Sequence, residues 1–323
     1  MAALIEWVPN ISEGRRLDVV DACVEPLKSI EGVKLLDYSS DADHNRSVIT
    51  CVGDPAGLKK ASVALYEKAV ELIDMNEQAG AHSRIGAVDV SPFIPIREAS
   101  MADCTKLAKD CAKLVSDKFA VPVYLYRESA TAPHRESQSI IRKGEYEGLT
   151  KKMEDPLWKP DYGPSTPHPT AGATIMGARP FLIAFNVNLD TTDVKIGKRI
   201  AKAVRGTSGG FVNVQGAGFF LEDNEEGPVT VTSYDELGAP LMEHGVFVRR
   251  DGMVQISMNF LNYLKTPIYR VLELIRREAQ RYGVLVKQTE LIGLAPADMF
   301  IKATRWYMQI DNLKDNQIID FQI

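Results

Sequence analysis

Apolar positions recur along the first half of the chain in two alternating rhythms, one of period two and one of helical spacing. Leu4 to Val8 reads as a short strand, closed by a turn through Pro9, Asn10 and Gly14. Arg15 to Ile30 carries Val19, Val20, Cys23 and Leu27 on one helical stripe. Val33 to Tyr38 and Arg46 to Val52 are the next two strands. Asp54-Pro55 opens a helix that runs to about Met75, with Asp as N-cap and Pro in the first turn. Ile85 to Ile96 returns as a strand, which completes a β-α-β-β-α-β order, the split βαβ arrangement. A further helix starts at Ser100, where Asp103 completes a variant capping box, and leads to a strand over Val121 to Tyr126.

Between about Arg127 and Pro180 the pattern turns polar, with short helical pieces around Gln138 to Arg142 and Tyr146 to Met153. Pro156 to Gly172 is rich in Pro, Gly, Ser and Thr, predicts no regular structure, and is open to two readings, linker or binding loop. Strands follow at Phe181 to Leu189, Val212 to Leu221, Val229 to Ser233, Val254 to Phe260 and Val284 to Gln288. Helices are expected over Thr192 to Val204, from Thr266-Pro267 through Tyr282, and from near Pro296. The expectation is an α+β protein of two ferredoxin-like subdomains, residues 1–179 and 180–323, facing each other across a central cleft.

The chain has 323 residues, 45% hydrophobic and 25% charged, as in a water-soluble globular protein. A formal net charge of −5 provides no basic field for nucleic acid or an anionic membrane. Cys23, Cys51, Cys104 and Cys111 form no CxxC pair and no zinc-ligand spacing, so they read as buried apolar residues and no metal is expected. Reduced thiols and a start without a basic-then-apolar leader suit a cytoplasmic protein. Gly206 to Gly218 is glycine-rich but lacks the strand-GxGxxG-helix context of a dinucleotide site.

Of five histidines, His82 has the surroundings of a catalyst, in the glycine-flanked run Gly80-Ala81-His82-Ser83-Arg84-Ile85-Gly86 at the mouth of an apolar strand. An imidazole there exchanges protons near neutral pH. The local pattern alone favours a loop histidine that caps a strand or binds a backbone carbonyl.

Several strings, in order and spread along the chain, resemble the glutamate formiminotransferase family. They are Val8-Pro9-Asn10-Ile11-Ser12-Glu13-Gly14-Arg15, Asp43-His44-Asn45-Arg46-Ser47-Val48 and Gly86-Ala87-Val88-Asp89-Val90-Ser91-Pro92-Phe93-Ile94-Pro95. Val121-Pro122-Val123-Tyr124-Leu125-Tyr126, Gly172-Ala173-Thr174, Gly177-Ala178-Arg179 and Phe181 to Leu189 complete the set. The resemblance implies transfer of the formimino group of N-formimino-L-glutamate to N5 of tetrahydrofolate in histidine breakdown, by a homodimer of two ferredoxin-like subdomains per chain. It implies no cyclodeaminase domain within these residues. His82 falls on the family's catalytic histidine.

The animal members carry an aspartate two residues after the equivalent of Asp37, where this chain has Ser39. Asp41 and Asp43, in the same loop, are the candidates to orient His82, or else turn caps. Asn10, Asn45, Arg46, Arg84 and Arg179 are candidates for substrate, the arginines because a guanidinium fork matches a carboxylate. The resemblance places folate along Gly163, Pro164, Ser165, Thr166, Pro167, His168, Pro169, Thr170, Ala171 and Gly172. Pro167 and Ala171 stand there where animal members have aromatics, and His168 is open to ligand binding or to rigidifying its loop. Formylglutamate as donor, and a folate-binding paralogue without turnover, are the competing readings.

Overall fold

The computed structural model describes residues 3–42, 44–80, 82–204, 231–234, 240–248, 253–260, 262–264 and 266–319. It divides into a unit of residues 1–180 and a unit of residues 181–323. Both are mixed α+β, each built on its own sheet.

The first unit runs β1 (Leu4–Trp7), β2 (Asn10–Ile11), α1 (Leu17–Val24), β3 (Val33–Asp41), β4 (Arg46–Gly53), α2 (Pro55–Leu72), β5 (Val88–Arg97), α3 (Met101–Phe119) and β6 (Val123–Arg127). Then come α4 (Gln138–Arg142), α5 (Leu149–Met153) and β7 (Thr174–Ala178). β1 lies antiparallel between β4 and β5, and β3 pairs with the far side of β4. β2 prolongs β1 past a break at Val8-Pro9 and pairs with the same two neighbours. Beyond β5 the sheet continues through β7 to β6, both parallel.

Alternation explains the layering. Ile5 and Trp7 of β1, Ile49 and Cys51 of β4, Val123 and Leu125 of β6 join Leu58, Leu65, Leu107 and Val115 in one apolar core beneath the helices. The opposite face over β6 and β7 packs Tyr124, Tyr126 and Ile175 against Ile141, Leu149 and Met153 of α4 and α5. The middle segment is thus the second cover of the sheet at this end.

The helix starts follow the expected chemistry. Asp54 Oδ1 accepts from Gly57 N at 2.8 Å, and Ser100 and Asp103 cap each other reciprocally at the head of α3. The helix expected over residues 15–30 ends as an α-helix at Val24, and Glu25–Ser29 tightens into a 3-10 turn. Pro26 is the reason, since it cannot donate to the fourth residue back. The four cysteines are free and buried, and burial pushes each thiol up to about 12.

β7 is the main departure from the sequence reading, which left residues 127–180 without a strand. Its Thr-Ile-Met-Gly-Ala stretch is short and contains a glycine, both of which weaken a strand signal. The glycine is required by the packing: a Cβ on Gly177 would lie 2.3 Å from the Tyr126 carbonyl oxygen.

The second unit runs β8 (Ile183–Leu189), α6 (Val194–Val204), β9 (Val231–Tyr234), β10 (Pro240–Val248), β11 (Val254–Phe260), α7 (Ile268–Gln280), β12 (Val286–Ile292) and α8 (Ala297–Met308). Its sheet, among the described residues, has the order β12-β8-β11-β10-β9. Ile183, Val187, Ile256 and Phe260 meet Ile200, Val271 and Ile275 of α6 and α7 in its core. β10 was not anticipated; Pro-Leu-Met-Glu-His-Gly-Val-Phe-Val does not alternate cleanly. The strand expected over residues 212–221 and the glycine-rich run 206–218 lie outside the described residues. Among the described residues no helix is long and apolar enough to cross a membrane.

Candidate active site

The sequence between α2 and β5 cannot continue either element, because Asp74, Asn76 and Gly80 favour turns. It forms a loop pinned at several points. Asn45, in the left-handed region at φ 47°, donates from Nδ2 to the Ala79 carbonyl at 3.1 Å, and its Oδ1 accepts from Gly14 N at 3.0 Å. Gln78 Nε2 donates back to the Asn45 carbonyl at 3.0 Å. Arg84 donates from Nε to Gln78 Oε1 at 2.7 Å, and pairs with Glu145 at 2.8 Å and Glu147 at 2.6 Å.

His82 stands on this loop. Its Nδ1 lies 2.7 Å from the Ser83 carbonyl oxygen. A carbonyl only accepts, so Nδ1 carries the proton and Nε2 holds the lone pair. Burial, reinforced by the positive charges of Arg46 and Arg142 and opposed by Asp89, holds the ring's pKa well below 6.5. The imidazole is therefore neutral at pH 7 and presents Nε2 as a base.

The charges around it form one buried group. Asp89 of β5 has no exposed surface, and its Oδ2 pairs with Arg46 NH1 at 2.6 Å and Arg142 NH2 at 2.5 Å. Its Oδ1 accepts from Ile85 N at 3.0 Å, which fixes the exit of the His82 loop. The two guanidiniums overcome the effect of burial and hold this carboxyl well below the ordinary range. Burial brings Arg46 down to about 10, with Asp89 acting in the opposite sense. Arg46 Nε also donates to Asn10 Oδ1 at 3.0 Å. One carboxylate between two guanidiniums leaves a net positive charge beside His82, suited to anionic substrates.

The end of segment 163–172, from His168 on, reaches the exit of the His82 loop. Gly86 and Gly172 form an isolated antiparallel bridge, Ala87 N donates to Ala171 O at 3.0 Å, and Met75 N donates to Thr170 O at 2.8 Å. His168 Nδ1 accepts from Ala171 N at 3.0 Å, so this ring closes its own loop. A Cβ on Gly86 would lie 2.0 Å from the Ala173 carbonyl oxygen. Gly86→Ala is accordingly expected to destabilise the fold by about 1–3 kcal/mol or more; an unchanged denaturant midpoint would show that the strands can part.

Of the expected site residues, the structure brings His82, Asn10, Asn45, Arg46, Arg84 and residues 168–172 together, whereas Gly163 packs against Ser116, Val121 and Pro122 at the start of β6. Arg46 and Arg84 are occupied by internal carboxylates. Asp41 is bonded to His44 Nδ1 at 2.8 Å, and Asp43 lies outside the described residues. Arg179, at the end of β7, donates from NH1 to the Pro180 carbonyl at 3.1 Å and pairs with no carboxylate among the described residues. Near it the Tyr126 hydroxyl is buried, with the Arg179 guanidinium as a polar neighbour. Glu6, buried on β1, is raised to about 7 by burial against the pull of Arg179.

Asp89 and Arg142 were passed over. The signal for Asp89 was present as a lone acid inside the apolar run Ala87-Val88-Asp89-Val90, because a carboxylate is kept there only with a partner. Arg142 gave none; its pairing spans 53 residues of sequence.

Residues 4–179 match the family model described as formiminotransferase domain, N-terminal subdomain, and residues 184–322 that of the formiminotransferase domain. A glutamate formimidoyltransferase from Streptococcus pyogenes serotype M1 is 42% identical over 312 residues, 97% of this chain and 95% of that protein. One from Thermoplasma acidophilum is 42% identical over 320 residues, 98% of this chain and 96% of that protein. The formimidoyltransferase-cyclodeaminase of Rattus norvegicus is 36% identical over 318 residues, 97% of this chain and 54% of that protein.

Proposed function

The chain belongs to the glutamate formiminotransferase family, and from that premise we propose that it moves the formimino group of N-formimino-L-glutamate to N5 of tetrahydrofolate, a step of histidine degradation. The observation that carries the mechanism is His82, neutral, with Nδ1 tied to the Ser83 carbonyl and Nε2 left as the base. N5 attacks the formimino carbon and loses its proton to Nε2. The same proton then reaches the glutamate nitrogen as the carbon–nitrogen bond breaks. One histidine serves as base and then as acid, and holding both substrates in line supplies the rest of the acceleration.

Folate is the co-substrate in this reading, laid along residues 163–172 beside the His82 loop. The bridge between Gly86 and Gly172 supports that placement. Arg179 takes a carboxylate of the donor, because Arg46 and Arg84 are held by internal carboxylates, whereas Arg179 forms no ion pair among the described residues. Arg179→Met is expected to raise KM for formiminoglutamate about 10- to 100-fold, as for loss of a charged hydrogen bond, with kcat little changed. An unchanged KM would remove Arg179 from the site. Both units are assigned as ferredoxin-like, supported by the sheet orders β5-β1-β4-β3 and β12-β8-β11-β10 for matching strand sequences. A cytoplasmic homodimer completes the proposal, on the family resemblance.

The test is a coupled absorbance assay with tetrahydrofolate and formiminoglutamate, following acid conversion of the product to methenyltetrahydrofolate. Turnover with formylglutamate and none with the formimino compound would change the donor. Folate binding without turnover would favour the carrier reading.

A further inference from the structure

A second histidine stands at this site. His44 lies in the turn between β3 and β4, its ring edge-on to His82 with centroids 6.1 Å apart and planes at 68°. Asp41 holds it twice: Oδ2 lies 2.8 Å from the ring Nδ1, and Oδ1 accepts from the backbone N–H at 2.9 Å. A carboxylate only accepts, so Nδ1 of His44 carries its proton and Nε2 is the nitrogen able to take another. The two loops are also in backbone contact, since a Cβ on Gly80 would lie 2.3 Å from the His44 carbonyl oxygen.

The histidines differ in what surrounds them. His82 faces Arg46 from β4 and Arg142 from α4, both opposed to a charged ring, with Asp89 of β5 shared between them. It takes a proton readily only if it can pass it on. His44 has a carboxylate of its own, from Asp41 at the end of β3, and its side chain is 32% exposed. Resting on the transfer reading above, the geometry points to His44, anchored by Asp41, as the proton-sharing partner of His82.

The step balances. The N5–H bond breaks as a proton binds His82 Nε2, and that proton crosses to His44 Nε2 through one bridging water. It returns by the same path and ends on the glutamate nitrogen as the carbon–nitrogen bond breaks, leaving both rings neutral.

The test uses the full chain with His44→Gln, His82→Asn and the double variant. His44→Gln is expected to lower kcat about 10- to 100-fold, with KM for both substrates within about twofold. Added imidazole restores part of the loss, and the substitution removes nothing further in the His82→Asn background. Asp41→Asn gives a smaller fall of the same kind, a second route should His44→Gln fold poorly. A rise in KM at constant kcat, no response to imidazole, or full additivity with His82→Asn would overturn the assignment. Ring-proton NMR of the unliganded chain gives a readout that needs no turnover. His44→Gln should displace the His82 titration by roughly half a unit or more, with His168 unmoved. If the wild-type chain transfers no formimino group, the transfer reading fails while this shift still decides the coupling of the rings; an unmoved His82 curve overturns it.

Discussion

His82→Ala is expected to lower kcat by about 10²–10⁴-fold, the usual worth of a positioned acid–base group. Folate affinity and the melting temperature should stay close to wild type, because among the described residues the ring's hydrogen bond is to the neighbouring Ser83 carbonyl, while the loop is held by Asn45, Gln78 and Arg84. The pH profile gives an independent check. A base works only when unprotonated, and burial together with Arg46 and Arg142 lowers the pKa of His82 from 6.5. The acid limb of kcat/KM in the wild-type chain should therefore fall below pH 6.5. Retention of near wild-type turnover in the variant, or an acid limb above that value, would move the proton chemistry elsewhere.

The largest effect on stability is expected at Asp89. Asp89→Asn keeps the shape but leaves Arg46 and Arg142 side by side, buried, without their shared counter-charge. Removing one partner of a buried ion pair typically destabilises by about 3–5 kcal/mol. Denaturant unfolding should show a loss of that order, and adding Arg142→Met should recover part of it, because the double variant buries one stranded charge instead of two. The sign of the pH dependence follows from a folded pKa below the ordinary 3.8. The carboxylate's contribution is fully present above that value and is lost as pH falls below it. The deficit of the variant should thus be constant through the neutral range and narrow only in strong acid. An Asp89→Asn protein as stable as wild type at pH 7 would mean that the guanidiniums find other partners.

Much of this architecture was legible in the chain because it rests on local chemistry. Asp54-Pro55 and Ser100 to Asp103 cap their helices through groups three residues apart, and β11 coincides with the run Val254 to Phe260. What depends on distant neighbours was hidden. β7 is a strand because β5 and β6 offer it parallel edges, and its five residues carry little signal of their own. At the site, His82 could be read from its loop and the resemblance of the strings around it. The employment of Arg46 by Asp89 and of Arg84 by Glu145 and Glu147 could not, since each arginine is satisfied from across the fold. Sequence shows an arginine as a donor available for substrate; only the packed structure shows that another side chain already has it.

The position of β7 also constrains how the molecule is made. Among the described residues β6 is joined to its sheet by β7 alone, and β7 is the last strand of its unit to leave the ribosome. Until residue 178 emerges, β5 and β6 are separate edges, and the apolar surface of α3 lies over an open gap. Contacts that must wait for so long a loop to close form slowly, and unpaired edges meanwhile invite association with other chains. A released chain that ends before Thr174 should be readily cleaved by protease within residues 123–160, and one that includes all five residues of β7 should resist. The polar stretch that looks like a connection between two units is thus the keystone of the first.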